Sequence, residues 1–248
     1  MARDMFATWT RRMRAGAPGQ PTLVCFPPGG GAAGGYRALA NHIADGVAVY
    51  AIQYPGRRDR ISEAPIASLT ELADHVAEAL EPLLGGELAF FGHSMGATVA
   101  FETALRLEAR GRRLRMLFAS GRTAPSEPVP DTTIETDDAT LIAEMERLAN
   151  DPRSVAVLRT DAALAAAVLP SVRNDYHAIE SYVHIPGEPL RCPIVGLTGA
   201  DDPVVTPAQL ERWRTHTTGA FELHIFPGSH FYLDARPAEI AHVINCCI

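Results

Sequence analysis

Five consecutive residues, Gly92-His93-Ser94-Met95-Gly96, constrain this chain more than any other stretch. Residues 88–91 before them are apolar with strand composition, and residues 97–110 after them form a helix-like run closed by Gly111. A Gly-x-Ser-x-Gly segment at a strand-to-helix junction puts the serine on a sharp turn. The flanking glycines are needed because larger side chains would collide there. The following helix points its positive N-terminal end at the serine, where it stabilises an oxyanion.

The rest of the pattern supports that junction. Residues 22–26, 47–53, 88–91, 114–119, 194–198 and 221–226 read as strands, alternating with helical segments over 68–84, 97–110 and 237–246. Such alternation predicts an α/β fold with a mostly parallel central sheet covered by helices on both faces. Ser68 with Glu71, and Thr206-Pro207 with Gln209, carry N-terminal capping signals. Between residues 126 and 189 the alternation stops. Residues 138–150 and 161–182 are helical in pattern with no strand between them. The predicted organisation is therefore a core of residues 1–125 and 190–248 with an all-helical lid insertion over 126–189. A structural arm for packing or dimerisation is the other reading of that insertion.

A serine hydroxyl needs a general base within hydrogen-bond reach and a carboxylate to orient that base. On such a sheet these follow in the order serine, acid, histidine. Of nine histidines, His230 is the best placed, in Pro227-Gly228-Ser229-His230-Phe231 directly after the last strand. His93 lies inside the turn with its side chain expected to point elsewhere. His216 and His224 read as ordinary solvated residues, and His42, His75 and His242 fall in helical segments. His177 and His184 lie in or beside the insertion. The acid follows the strand at 194–198, where Gly199-Ala200-Asp201-Asp202 offers two carboxylates. The fourth position of the turn favours Asp202, with Asp201 shaping the turn.

The matching oxyanion hole needs two backbone N–H donors aimed at one point. Met95 supplies one. The other belongs to the loop Pro27-Pro28-Gly29-Gly30-Gly31-Ala32, where the prolines have no N–H and Gly29 is the first candidate. A phosphate-binding glycine loop is the rival reading. It lacks the P-loop lysine and a dinucleotide fingerprint.

Composition narrows the partners. The 22 basic residues are all arginine, which excludes lysine chemistry, and the net charge of −7 argues against nucleic acid. No apolar run reaches the roughly 18 residues of a membrane span. Residues 1–14 lack the apolar stretch of a secretion signal. Cys25, Cys192, Cys246 and Cys247 form neither a disulfide framework nor a metal-ligand spacing, so a reducing, cytoplasmic setting is expected and no metal site. Monomer is the default expectation. Arg57, Arg58 and Arg60 form one basic cluster and Arg110, Arg112, Arg113 and Arg115 another.

Beyond the serine turn, several segments resemble one family, the stand-alone type II thioesterases that accompany polyketide and non-ribosomal peptide synthases. Tyr54-Pro55-Gly56-Arg57 with Arg60 is similar to that family's Pro-Gly-Arg-x-x-Arg segment. Leu169-Pro170, Arg173, Asp175-Tyr176, Glu180 and Tyr182 resemble its lid-helix signature, and Gly228-Ser229-His230-Phe231 its histidine loop. The resemblance, spanning residues 21–233, implies an α/β-hydrolase core, with Ser94 as nucleophile, Asp202 and His230 as its partners, and Gly29 and Met95 as oxyanion donors. It also implies hydrolysis of acyl thioesters on acyl or peptidyl carrier proteins, with no cofactor beyond the carrier's own phosphopantetheine. A chain-releasing thioesterase or a general carboxylesterase is the alternative, and a carrier-binding scaffold without turnover a further one. The glycine loop departs from the family's Pro-His-Ala-Gly-Gly-Ser, which predicts a changed pocket wall and a looser loop. Arg57, Arg58 and Arg60 either dock an acidic carrier or brace their own loop.

Overall fold

The computed structural model describes residues 4–127 and 137–248. Its strands are β1 (Thr10–Arg14), β2 (Thr22–Phe26), β3 (Ala48–Ile52), β4 (Leu88–His93), β5 (Met116–Ser120), β6 (Ile194–Gly199) and β7 (Phe221–Phe226). They form one sheet in the order β1-β3-β2-β4-β5-β6-β7. Only β1 runs antiparallel to its neighbour; the other pairs are parallel. The helices are α1 (Met5–Trp9), α2 (Arg37–Ala40), α3 (Leu69–Ala79), α4 (Met95–Ala109), α5 (Asp138–Leu148), α6 (Pro152–Ala156), α7 (Ala162–Glu180), α8 (Pro207–Glu211), α9 (Tyr232–Ala235) and α10 (Pro237–Cys247).

The side-chain alternation of a strand explains the layering. On β2, Val24 and Phe26 join a core with Leu72 and Val76 of α3 and Phe101 of α4. Leu23 and Cys25 face the opposite core, with Leu39 of α2 and Ile240 and Ile244 of α10. All six residues of β4 are buried, as a central strand covered on both faces requires. The predicted caps are present. Ser68 accepts from the Glu71 N–H at 3.2 Å, and Thr206 and Gln209 cap α8 reciprocally.

Helices α5 to α7 lie between β5 and β6 and enclose a small core of their own: Leu141, Ile142, Leu158, Leu169 and Val172. Aspartates 137, 151 and 161 cap the three helices through their side chains. The two helices expected from the sequence are both present and slightly shorter; α6 between them is an addition. Residues 128–136 of the expected insertion lie outside the described residues. Among the described residues no single helix is long and apolar enough to cross a membrane.

Two sequence readings need correction. Residues 5–14, read only as lacking the apolar stretch of a secretion signal, build α1 and the edge strand β1. Arg11 and Arg14 there pair with Asp59 and Asp45, charged partners of the kind that protect an exposed sheet edge. His216 is not solvated. A 3₁₀ turn at Arg212–His216 rolls it inward with Trp213, against Phe101 and His184, and its Nε2 meets the Ser126 hydroxyl at 2.8 Å.

Burial, aided by His184, pulls the pKa of His216 down from 6.5 to about 4. Between those values the unfolded chain binds a proton that the native imidazole refuses, so stability falls as the pH drops through this window. His216→Phe should flatten the pH dependence of urea unfolding between 6.5 and 4. An unchanged slope would refute the assignment.

Candidate active site

Ser94 occupies the sharp turn between β4 and α4, with φ 53° and ψ −123°, a conformation few non-glycine residues adopt. Its N–H donates to the Ser120 carbonyl at 2.8 Å, and its own carbonyl accepts from Ala97 at 2.9 Å. The two motif glycines are there because the backbones nearly touch. A Cβ on Gly96 would sit 2.0 Å from the Phe26 carbonyl oxygen, and one on Gly92 2.3 Å from the Gly96 carbonyl oxygen. The turn ends where the parallel strands end, so the loops after β2, β5, β6 and β7 gather around Ser94.

From the β6 and β7 loops come Asp202 and His230, both buried. His230 Nδ1 lies 3.1 Å and 3.0 Å from the two carboxylate oxygens of Asp202. Oδ1 of Asp202 also accepts the Val204 N–H at 2.8 Å, and Oδ2 faces the Thr198 hydroxyl at 3.4 Å. The carboxylate is thus held before it meets the imidazole. With Nδ1 engaged, Nε2 is the ring nitrogen left for the cavity that His230 and Ser94 both line. The structure pairs His230 with Asp202 and sets Ser94 on the same cavity as His230. Asp201, the other candidate acid, is exposed and gives its N–H to the Gly228 carbonyl at 3.0 Å.

His93 departs from expectation. Its ring packs against that of His230, with centroids 4.9 Å apart, and its Nδ1 meets the Ser120 hydroxyl at 2.9 Å. Ser120 in turn meets the Tyr232 hydroxyl at 2.7 Å. Burial, then the nearby His230, drives the His93 pKa well down, so it stays neutral behind the base. Strand alternation at the end of β4 pointed away from the site, but the β7 loop folds back over it.

The glycine loop is gripped, not loose. Asp175 of α7 accepts the Gly30 N–H at 2.7 Å through Oδ2, and Arg57 forks onto both of its oxygens at 2.7 Å and 2.8 Å. The same guanidinium donates to the Gly31 carbonyl at 3.1 Å. Arg57 is 5% exposed and Asp175 0%, so the ion pair is sealed from water. Arg60 is also internal. It donates to the Gln53 carbonyl at 2.7 Å, pairs with Glu63 and covers the Trp9 ring. The bracing role therefore holds for Arg57 and Arg60, and only Arg58 faces solvent.

Above Ser94 lies a cavity of about 780 Å³, roofed by Met145, Leu148, Val155, Val172, Tyr176 and Ile179 and bordered by Gly29. It is large enough for a small-molecule ligand. Sequence reasoning missed Arg122, which lines it. This guanidinium is buried, donates to the Thr98 hydroxyl at 3.3 Å, and has its pKa lowered by burial to about 10, so it remains charged at neutral pH. Its position two residues past β5, at the carboxyl end of a central strand, was the available signal.

This geometry has close counterparts. The family model for the thioesterase domain matches residues 21–247. The chain belongs to the thioesterase domain family. Thioesterase PikA5 of Streptomyces venezuelae is 42% identical over 241 residues, covering 96% of this chain and 84% of that protein. Among solved structures, the type II thioesterase BorB of the borrelidin biosynthetic cluster superposes with a TM-score of 0.87 at 41% identity, covering 96% of each chain. RedJ, a thioesterase of the prodiginine pathway in Streptomyces coelicolor, gives 0.85 at 36% identity over 94% of this chain and 87% of its own. The likeness to type II thioesterases and the α/β-hydrolase fold expected from the sequence both hold.

The contact distances at the turn make a direct prediction for this thioesterase. Gly96→Ala should lower the unfolding free energy by roughly 1–3 kcal/mol through overpacking. Gly85→Ala, at a position open to solvent, should change little. Urea titration of both variants is the check, and equal midpoints would show that the turn has room to spare.

Proposed function

We propose that this thioesterase hydrolyses acyl thioesters delivered on the phosphopantetheine arm of acyl or peptidyl carrier proteins, clearing stalled or misprimed acyl groups from a polyketide or non-ribosomal peptide synthase. The observation that carries the chemistry is the buried Asp202–His230 pair, with its free imidazole nitrogen lining the same cavity as Ser94. The relatives' names support the setting, since BorB comes from the borrelidin biosynthetic cluster, RedJ from the prodiginine pathway, and YbtT is a type II thioesterase of the yersiniabactin NRPS/PKS pathway.

In the proposed reaction, His230 takes the Ser94 proton as Oγ attacks the thioester carbonyl, and Asp202 stabilises the imidazolium that forms. The carbonyl oxygen becomes an oxyanion held by the N–H groups of Met95, at the N-terminus of α4, and Gly29. One such donor is typically worth about 3 kcal/mol of barrier. The C–S bond breaks and the phosphopantetheine thiol leaves with the proton from His230. Water, deprotonated by His230, then attacks the acyl-serine, and the carboxylic acid departs as Ser94 recovers its proton. Helices α5 to α7 act as the lid that keeps bulk water from the acyl-enzyme. The exposed Arg58 is the member of its cluster available to an acidic carrier.

Intact-mass analysis tests the proposal directly. An acetylated and a longer-acylated carrier protein should both lose the acyl group with the wild-type chain. Ser94→Ala should abolish the loss, and Asp202→Asn should slow it by up to about 10⁴-fold. If neither carrier is deacylated, editing is excluded; turnover of oxygen esters or of one finished product would then favour a carboxylesterase or a chain-releasing enzyme.

A further inference from the structure

We propose that Asp175, although it belongs to α7, is a positioning residue for the oxyanion loop: its carboxylate, and not the packing of α7 as such, sets the oxyanion hole. This rests on the reading of Gly29 as an oxyanion donor. The loop closes a turn of its own, the Gly31 N–H donating to the Pro28 carbonyl at 2.9 Å, but that bond does not set how the turn sits over the serine. Pro27 and Pro28 stiffen its entrance, but Gly29, Gly30 and Gly31 carry no side chains to pack, and glycine is the residue with most freedom to lose on folding. Orientation has to be imposed from outside. The Gly30 N–H, one peptide beyond the proposed donor, is held at 2.7 Å by Asp175 Oδ2. The Gly31 carbonyl is held by Arg57, whose guanidinium is itself fixed by both oxygens of Asp175. Val172, three residues earlier on α7, closes the gap: a Cβ on Gly30 would lie 2.9 Å from its Cγ2.

A purely adhesive role for this ion pair is the weaker account. Taking both charges out of water costs about as much as their attraction returns, so a sealed pair is a poor device for stability alone. Other contacts already fasten α7. Asn174 donates to the Ile66 carbonyl at 2.8 Å, and Tyr182, two residues past the helix, to Glu102 at 2.7 Å. What the pair does that these do not is hold a hydrogen-bond acceptor against the loop.

The test uses the full chain with one acyl carrier substrate and an acyl trifluoromethyl ketone. In the adduct, Ser94 Oγ bonds to the ketone carbon, its proton passes to His230, and the carbonyl oxygen becomes an oxyanion in the hole. Arg57→Met/Asp175→Leu removes both charges together, so no buried charge is left unpaired. It should melt within a few degrees of wild type and keep its KM, while kcat and ketone affinity fall together by roughly 10- to 100-fold. Asn174→Ala, which loosens α7 without touching the loop, should lower the melting temperature and leave kcat unchanged. Arg57→Gln/Asp175→Ala, which likewise leaves no buried charge and no carboxylate for the Gly30 N–H, is measured if the first double variant does not fold, and the same parallel loss is expected. Wild-type kcat and ketone affinity in the folded variant would overturn the proposal, as would an equal kcat loss in Asn174→Ala. A wild-type chain that turns over no thioester would defeat the parent reading instead, whereas active wild type with an unaffected Asp175 variant would defeat this inference alone.

Discussion

The near-contact of the β4–α4 turn with the end of β2 is the constraint on which this molecule is built. There is no room for a single methyl group at Gly92 or Gly96, and Ser94 takes up a backbone conformation that other residues avoid. That compression lifts the serine above the strand ends and turns the first N–H groups of α4 toward the space over it. The neighbouring loops then need only reach the same point. The loops after β6 and β7 bring a carboxylate and an imidazole already bonded to one another.

Two buried acid–base pairs divide the work around this turn. Asp202 and His230 come from the sheet and face the serine. Asp175 and Arg57 join the helical insertion to the loop on the other side. Each aspartate also accepts a backbone N–H, from Val204 in one case and Gly30 in the other. A carboxylate with four acceptor positions can fix a charged side chain and a peptide at once, which no apolar contact does. Behind the base, the neutral His93 and the Ser120–Tyr232 hydroxyls complete a wall that adds no second charge.

Much of this was legible in the sequence because it depends on short, local rules. Short apolar stretches and helical patterns give β2 through β7 and the long helices, and the Gly-x-x-Asp turn selects Asp202 over Asp201. What stayed hidden depends on contacts between distant segments. Strand β1 carries three arginines in five residues and is recognisable only once Asp45 and Asp59 are seen beside it. His216 reads as solvated until the turn at 212–216 rolls it under Phe101. The loop at 27–32 looks slack because its restraints come from residues 57 and 175, and Arg122 is marked only by its place just past the end of β5.

The separate small core within the insertion has a consequence for access to the serine. Helix α7 is fastened to Ile66 and to Arg57, and Tyr182 just past it to Glu102, so uncovering Ser94 would fall to α5 and α6. Their grip on α7 is a handful of apolar side chains, Leu141, Ile142 and, just past α6, Leu158 against Leu169 and Val172, with the Asp138–Arg173 ion pair beside them. The apolar contacts are non-directional and can be replaced one for another. An acyl chain sliding beneath α5 offers the same methylene surface that the displaced leucines give up. The length of chain able to wedge the roof open, against the Asp138–Arg173 pair and the Asn150 bond to Phe231, would then decide how readily a given thioester gains admission.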